Sequence, residues 1–383
     1  MKLCVFALLA SAALAQQPQQ PQNQLPDCPD GPVFSVLPFA LEDFLAFRPL
    51  GFVSLPVHLF PAKHSAFVMA LPGDPTPVRQ MRFPGDMWVT EIWSTAYPSG
   101  GSGYQLYYQP CRQMRGYFNH LGSLSDRLKA IFDAAPSKSC YDFNDQTGVI
   151  VKCSVRVFEK VLAGEHAGAS GDGTGGVDFG LSDMRRKPEG LAVLEHYPFD
   201  YPYYVSPFEY FPDDVKSQFE PKLTSWDGQV QRTAEPRWGT FRPDIVGTAQ
   251  GNWFRPGIYL RDVQDYSPSL ALVSDYIDPA VPIIAAGLSL PGVRMAPYSF
   301  TPQDDDTRIN APFRKVTADG NVYCYDRWSM ARTPGRLAIG NLGGILLLSM
   351  PDPNTLLVEK QTAGTCAESQ PWQQTEAAVR FER

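Results

Sequence analysis

The run MWVTEIWST (residues 87–95) decides the fold. It is rich in β-branched and aromatic residues. Pro84-Gly85-Asp86 precedes it and Tyr97-Pro98 soon follows, which is the pattern of a strand between turns. Working outward, Ser65–Leu71, Tyr104–Tyr108 and Val149–Val157 have the same character. So do Leu270–Tyr276, Pro282–Leu288, Asn321–Tyr325, Ile345–Met350 and Thr355–Glu359 in the second half. One segment reads as a helix. In Ser123–Phe132, Leu124, Leu128, Ile131 and Phe132 fall on one helical face, and Ser123 or Ser125 is placed to cap it. The expected fold class is mainly β.

Composition agrees. With 36 Pro, 31 Gly and 12% aromatic residues, the 383-residue chain favours short strands joined by turns. A net charge of −7 argues against nucleic acid as a partner, because phosphate binding needs a clustered basic surface. No later stretch is apolar for long enough to span a bilayer, which takes about 20 residues.

The chain opens with Met1-Lys2, then an almost unbroken apolar run from Leu3 to Leu14, then Ala13-Leu14-Ala15 as a small-x-small cleavage signature. Residues 1–15 therefore read as a signal peptide and 16–32 as a flexible polar lead. The expected location is secreted or periplasmic. Removal of Cys4 with the signal leaves six cysteines: Cys28, Cys111, Cys140, Cys153, Cys324 and Cys366. An even number in an exported chain implies disulfides. Spacing pairs Cys324 with Cys366 and puts a bridge between two of Cys111, Cys140 and Cys153. The charged stretch MRRKPEG (184–190) marks an expected boundary between a first domain, 33–190, and a second β-rich domain, 191–383.

Within the first domain, His64 opens an apolar run and Pro77-Val78 follows a turn. Gly85-Asp86-Met87-Trp88-Val89 leads into the next strand. Tyr117-Phe118-Asn119-His120-Leu121-Gly122-Ser123 follows, then a glycine-rich stretch 164–176 and Val177-Asp178-Phe179. This order resembles the lysostaphin-type zinc metallopeptidases, which cut the peptide cross-links of bacterial cell walls. The fragments PVHLFPAKH and GYFNHLGSLS also resemble exported bacterial proteins in which such a degenerate domain precedes a second β domain. The resemblance implies a lysostaphin-like β-sheet domain over about residues 58–183. In that family a His-x-x-x-Asp and a closing His-x-His supply zinc ligands and a catalytic His, and a further His assists catalysis. Here the early carboxylate position is Val68, and the closing histidine positions are Gly176 and Asp178.

A catalytic zinc takes three protein ligands and a water. A rebuilt set would be His58, His64 and Asp178, with His120 as acid or base. The favoured expectation is that the fold has lost its metal, so that no cofactor is needed, zinc being the one that the rival reading requires. The protein would then be a non-catalytic binder of a cell-wall (peptidoglycan) or extracellular glycan or peptide. The rival is a zinc endopeptidase acting on peptidoglycan peptides. In the second half, Gly247–Phe254 (GTAQGNWF) stands out: Gln250, Asn252 and Trp253 offer amide and aromatic groups to a ligand, or else form a corner between strands. Asp304-Asp305-Asp306 reads as a solvated acidic turn rather than a calcium loop. Asp178 and Asp183 are a formal glycosidase pair only if they flank one bond.

Overall fold

The computed structural model describes residues 25–98, 100–145, 148–262, 267–331, 334–337 and 343–383. The expected signal peptide, and most of the polar lead, lie outside the described residues. Strand outweighs helix, 36% to 10%, so the chain is mainly β.

In chain order the first strands are β1 (Ala46–Arg48), β2 (Ser65–Val68), β3 (Gln80–Arg82), β4 (Met87–Ala96), β5 (Ser102–Cys111), β6 (Met114–Leu121) and β7 (Ser123–Leu124). Helix α1 (Asp126–Ala134) precedes β8 (Ser139–Asp145), β9 (Gly148–Val161), β10 (His166–Ala169), β11 (Gly176–Asp183) and β12 (Tyr204–Val205). Nine of these strands form an antiparallel sheet in the order β1-β2-β11-β6-β5-β4-β9-β8, with β12 also on β11. A small sheet, β3-β10-β7, lies beside it. After α2 (Asp213–Phe219) come β13 (Gly251–Trp253), β14 (Leu270–Ser274), β15 (Pro282–Ala286), β16 (Ala296–Ser299), β17 (Tyr323–Tyr325), β18 (Ser329–Met330), β19 (Ile345–Asp352), β20 (Thr355–Gln361) and β21 (Val379–Glu382). These build two antiparallel sheets, β13-β14-β15-β16-β18 and β17-β19-β20-β21.

The hydrophobic pattern explains the layering. Phe67, Phe118 and Phe179, from β2, β6 and β11, are fully buried in one core with Phe47, Phe208 and Phe219. Phe118 and Phe179 stack with centroids 4.7 Å apart. This core takes in Val205, Phe208, Phe211, Phe219 and Trp238, so it runs well past the boundary read near residue 190. The charged stretch there is a surface connection, and the aromatic block after it folds back onto the first sheet. A second core joins the later sheets through Trp253, Leu272, Ile284, Tyr325, Leu348 and Phe381. A third cluster bridges the two, with Phe60 and Tyr117 from the first part against Phe254, Val273 and Ile283 from the second.

Helix α1 begins one turn later than its apolar pattern, because Leu124 is held in β7. Ser125 caps it by accepting from the Leu128 amide. Leu128 and Phe132 face the core as expected. The six cysteines form three disulfides, Cys28–Cys111, Cys140–Cys153 and Cys324–Cys366. Among the described residues no helix is long and apolar enough to cross a membrane. Three disulfides are compatible with an extracellular or periplasmic protein.

Candidate functional site

Antiparallel pairing builds the site. On β11, Asp178 stands opposite Ala66 of β2 on one side and Asn119 of β6 on the other. Residues directly opposite one another share a face of the sheet. Asp178 therefore projects between the start of β2, where His64 sits, and the end of β6, where His120 sits. His58 arrives by another route. A tight turn pairs Ser54 with His58, so no strand runs from His58 to His64 through Pro61. The turn brings the two imidazoles to 4.9 Å, with Phe52 against both rings.

The polar contacts form a chain. Asp178 Oδ1 lies 3.4 Å from His64 Nδ1, and Asp178 Oδ2 lies 3.4 Å from His120 Nε2. Asn119 Nδ2 donates to the same Oδ2 at 3.3 Å. On the far side of its ring, His120 Nδ1 donates to Asp172 Oδ2 at 3.0 Å. Asp172 is held in turn by the Thr174 amide and hydroxyl on Oδ1. The chain thus runs Asp172–His120–Asp178–His64, and the Asp172 carboxylate is almost fully buried.

His120 adopts φ 66°, one of few described non-glycine residues with positive φ. That conformation is unfavourable for an L side chain and tends to persist where a site requires it. The close approach beside it explains the bend: a Cβ on Gly122 would sit 2.7 Å from the Gly171 carbonyl carbon, so the end of β6 is pressed against the glycine loop that carries Asp172.

The charge states differ within the cluster. Burial, with help from neighbouring His64, pushes His58 down to about 3. Burial also lowers His64, against the opposing pull of Asp178. For His120, burial works against the cation, but the Asp172 hydrogen bond and the charges of Asp178 and Asp172 together hold its pKa above the ordinary value. The cluster thus biases His120 toward its cation and His58 and His64 toward their neutral forms.

His58, His120 and Asp178 line one end of a cleft of about 360 Å³, with Arg48, Phe52, Ser54, Val68 and the glycine loop 173–176, while His64 is buried behind them. No known protein family, curated protein or solved structure matches the chain.

The metal implied by the family resemblance does not fit these residues. A zinc ion needs donor atoms within about 2.0–2.3 Å of one point. The two imidazoles instead address different oxygens of Asp178, which bridges them. His64 Nδ1 faces two acceptors, Asp178 Oδ1 and the Ser65 carbonyl at 3.2 Å, so in the neutral ring that nitrogen carries the hydrogen and has no lone pair to give. Among the described residues no three His, Cys, Asp or Glu side chains are placed to hold a metal ion. Val68, at the family's carboxylate position, is buried and apolar, and a side chain at Gly176 would meet the Phe67 carbonyl at 2.9 Å.

The structure therefore brings together His58, His64, His120 and Asp178. The second-half candidates behave differently. Trp253 is fully buried and donates its indole N–H to the Ala249 carbonyl. Asn252 is also buried and donates to the Tyr197 hydroxyl. Both lie buried in the corner between strands, Asn252 with its Oδ1 unpaired, and neither reaches solvent, which corrects their reading as groups offered to a ligand at the surface. Gln250 stays half-buried beside them, its carbonyl accepting from Arg383. Asp183 faces away from Asp178, as residues five apart on a strand must, and is paired with Arg185 and Tyr210, so the two flank no common bond. Asp304 pairs with Lys315 at the surface. Sequence reasoning passed over Asp172, Asn119 and Arg48. An aspartate set among glycines at 171–175 was the available signal for the first.

Proposed function

We propose that this chain is an exported, non-catalytic binding protein whose first domain is a degenerate lysostaphin-type fold, followed by a second β-rich domain. Its cleft takes a cell-wall or other extracellular glycan or peptide. The observation that carries this reading is the bridging of His64 and His120 by Asp178. The side chains that a peptidase would turn toward a metal instead lie against the two oxygens of one carboxylate, each 3.4 Å away, and a roomy cleft opens beside them. Clefts of this size, walled by apolar groups with a few fixed polar ones, suit small ligands or chain segments.

Soluble peptidoglycan fragments test it. A ligand that binds only the folded protein raises its melting temperature in a concentration-dependent way. The expected result is a thermal shift with intact fragments recovered afterwards, and loss of that shift in His120→Ala. No shift with any glycan or peptide fragment would sink the binding reading. The gathering of three imidazoles around Asp178 is the observation behind zinc endopeptidase as the second reading. About one equivalent of zinc retained through purification, lost in His64→Ala, together with cleavage of the fragments, would establish it instead.

A further inference from the structure

Register places a cation in line with the site. Arg48 of β1 stands opposite Ala66 of β2, and Ala66 stands opposite Asp178 of β11. The three residues form one row on one face, with a methyl group as the floor between a guanidinium and the carboxylate. Two strand spacings separate the ends of the row, about 10 Å. All three line the cleft.

Arg48 has no anionic partner. Among the described residues no carboxylate lies within ion-pair distance of it; Arg79, Arg112, Arg127, Arg185 and Arg186 are paired, whereas Arg115 of β6 and Arg156 of β9, like Arg48, form no ion pair. Its Nε is buried and makes no hydrogen bond, and its guanidinium carbon lies 5.3 Å from the centre of the Phe52 ring. A buried donor left unsatisfied is destabilising, and an acceptor arriving from outside would relieve it. Arginine presents a planar fork matched to a carboxylate.

The cleft continues beyond Arg48. Arg48, Ser54 and Pro72 also border a second cavity of about 210 Å³, whose other walls include Trp226, Ile283 and Pro297. That cavity mixes apolar walls with polar groups, Ser274 and Asp275 among them, and is built from both halves of the chain. One groove therefore runs from the His120–Asp178 cluster, past a lone cation, to a wall with an indole.

We propose that Arg48 is a carboxylate-binding subsite and that the ligand of this groove is a peptide with a free carboxylate, its neighbouring residues lying against Trp226. This rests on the binding reading given above and specifies its ligand. The excess positive charge at Arg48 selects the acid, and the apolar wall contributes affinity without regard to charge.

The test uses a fluorescein-labelled tetra-alanine peptide with a free C-terminal carboxylate, and the same peptide amidated, titrated into the whole protein by anisotropy. The acid is expected to bind at least tenfold more tightly than the amide. Arg48→Gln should bring the acid down to the affinity of the amide and leave the amide unchanged, whereas Arg48→Lys should retain part of the preference. Trp226→Ala should weaken both peptides alike. Equal binding of acid and amide by the wild-type protein overturns the subsite without any variant, and so does a preference that survives in a folded Arg48→Gln. If neither peptide binds while glycan fragments still raise the melting temperature, the carboxylate subsite falls and the binding function stands. If nothing binds, both fall.

Discussion

At the residue scale the site is an exercise in proton placement. His58 and His64 are held neutral, since burial drives both below the ordinary value of 6.5 and His58 to about 3. A base whose pKa is lowered by folding is protonated more readily in the unfolded chain. Its contribution is therefore complete above pH 6.5 and is lost as pH falls from 6.5 toward 3. His120 has the opposite sign: its pKa is raised, so its contribution is complete below 6.5 and is lost as pH climbs through the higher folded value. Stability from these three groups should peak near pH 6.5 and decline on both sides. Denaturant melts at intervals between pH 4 and 8 would show it, and His58→Asn should flatten the acid limb alone. A flat profile would mean that the imidazoles do not titrate this way. Asp172→Asn keeps the shape but removes the charge that orients His120. His120 should then titrate at lower pH by NMR, with a loss of about 1–2 kcal/mol in stability. An unmoved titration would show that Asp172 does not hold the cation.

At the scale of elements, two fasteners do different work. Ser125 caps α1, and Ser125→Ala should cost about 1 kcal/mol, read as a shift in denaturation midpoint with an unchanged slope. Cys28–Cys111 closes a loop of 83 residues, tying the segment before Phe34 to the end of β5. Replacing both cysteines by alanine should cost about 2–4 kcal/mol, more than removing Cys140–Cys153, which spans 13 residues between strands already paired at that position. Near-equal losses would contradict that ordering. Much of this layer was legible. Strands at 87–96, 270–274, 345–352 and 355–361 follow from local apolar runs set between turn residues, and a serine cap before the apolar face was legible, though the choice between Ser123 and Ser125 waited on β7, which takes up Ser123. Other features depend on partners distant in the chain. Arg48 and Asp178 share a row only because β2 lies between their strands, and Asp172 looks like loop filler until the glycine loop is folded against β6. Trp253 misled because an amide-flanked aromatic string looks the same at a ligand site and at a buried corner. Burial decides between them, and burial is a property of the whole fold.

For the whole molecule the question is whether the two large cores are independent. A boundary at residue 190 would predict that they are, with the charged connection acting as a hinge. The aromatic block after it instead belongs to the first core through Phe208, Phe219 and Trp238. The third cluster then packs the flank of that core against β14 and β15, where the rings of Phe60 and Phe254 meet at 5.0 Å in an edge-on contact. Both rings are essentially fully buried, and Phe254 is also bonded through its backbone to Glu382, next to the last residue of the chain. Removing such a ring typically costs 3–5 kcal/mol, and here the loss would fall on the seam between the two cores. The wild-type protein should therefore unfold in one transition, with calorimetric and van't Hoff enthalpies in agreement. Phe254→Ala, or Phe60→Ala from the other side, should split it into two, because each core remains intact while the coupling is weakened. The double variant should cost less than the sum of the singles, since the two rings share one contact. If the wild type already melts in two steps, the seam is too weak to couple the halves, and a groove lined by both Arg48 and Ile283 would open before either core is lost.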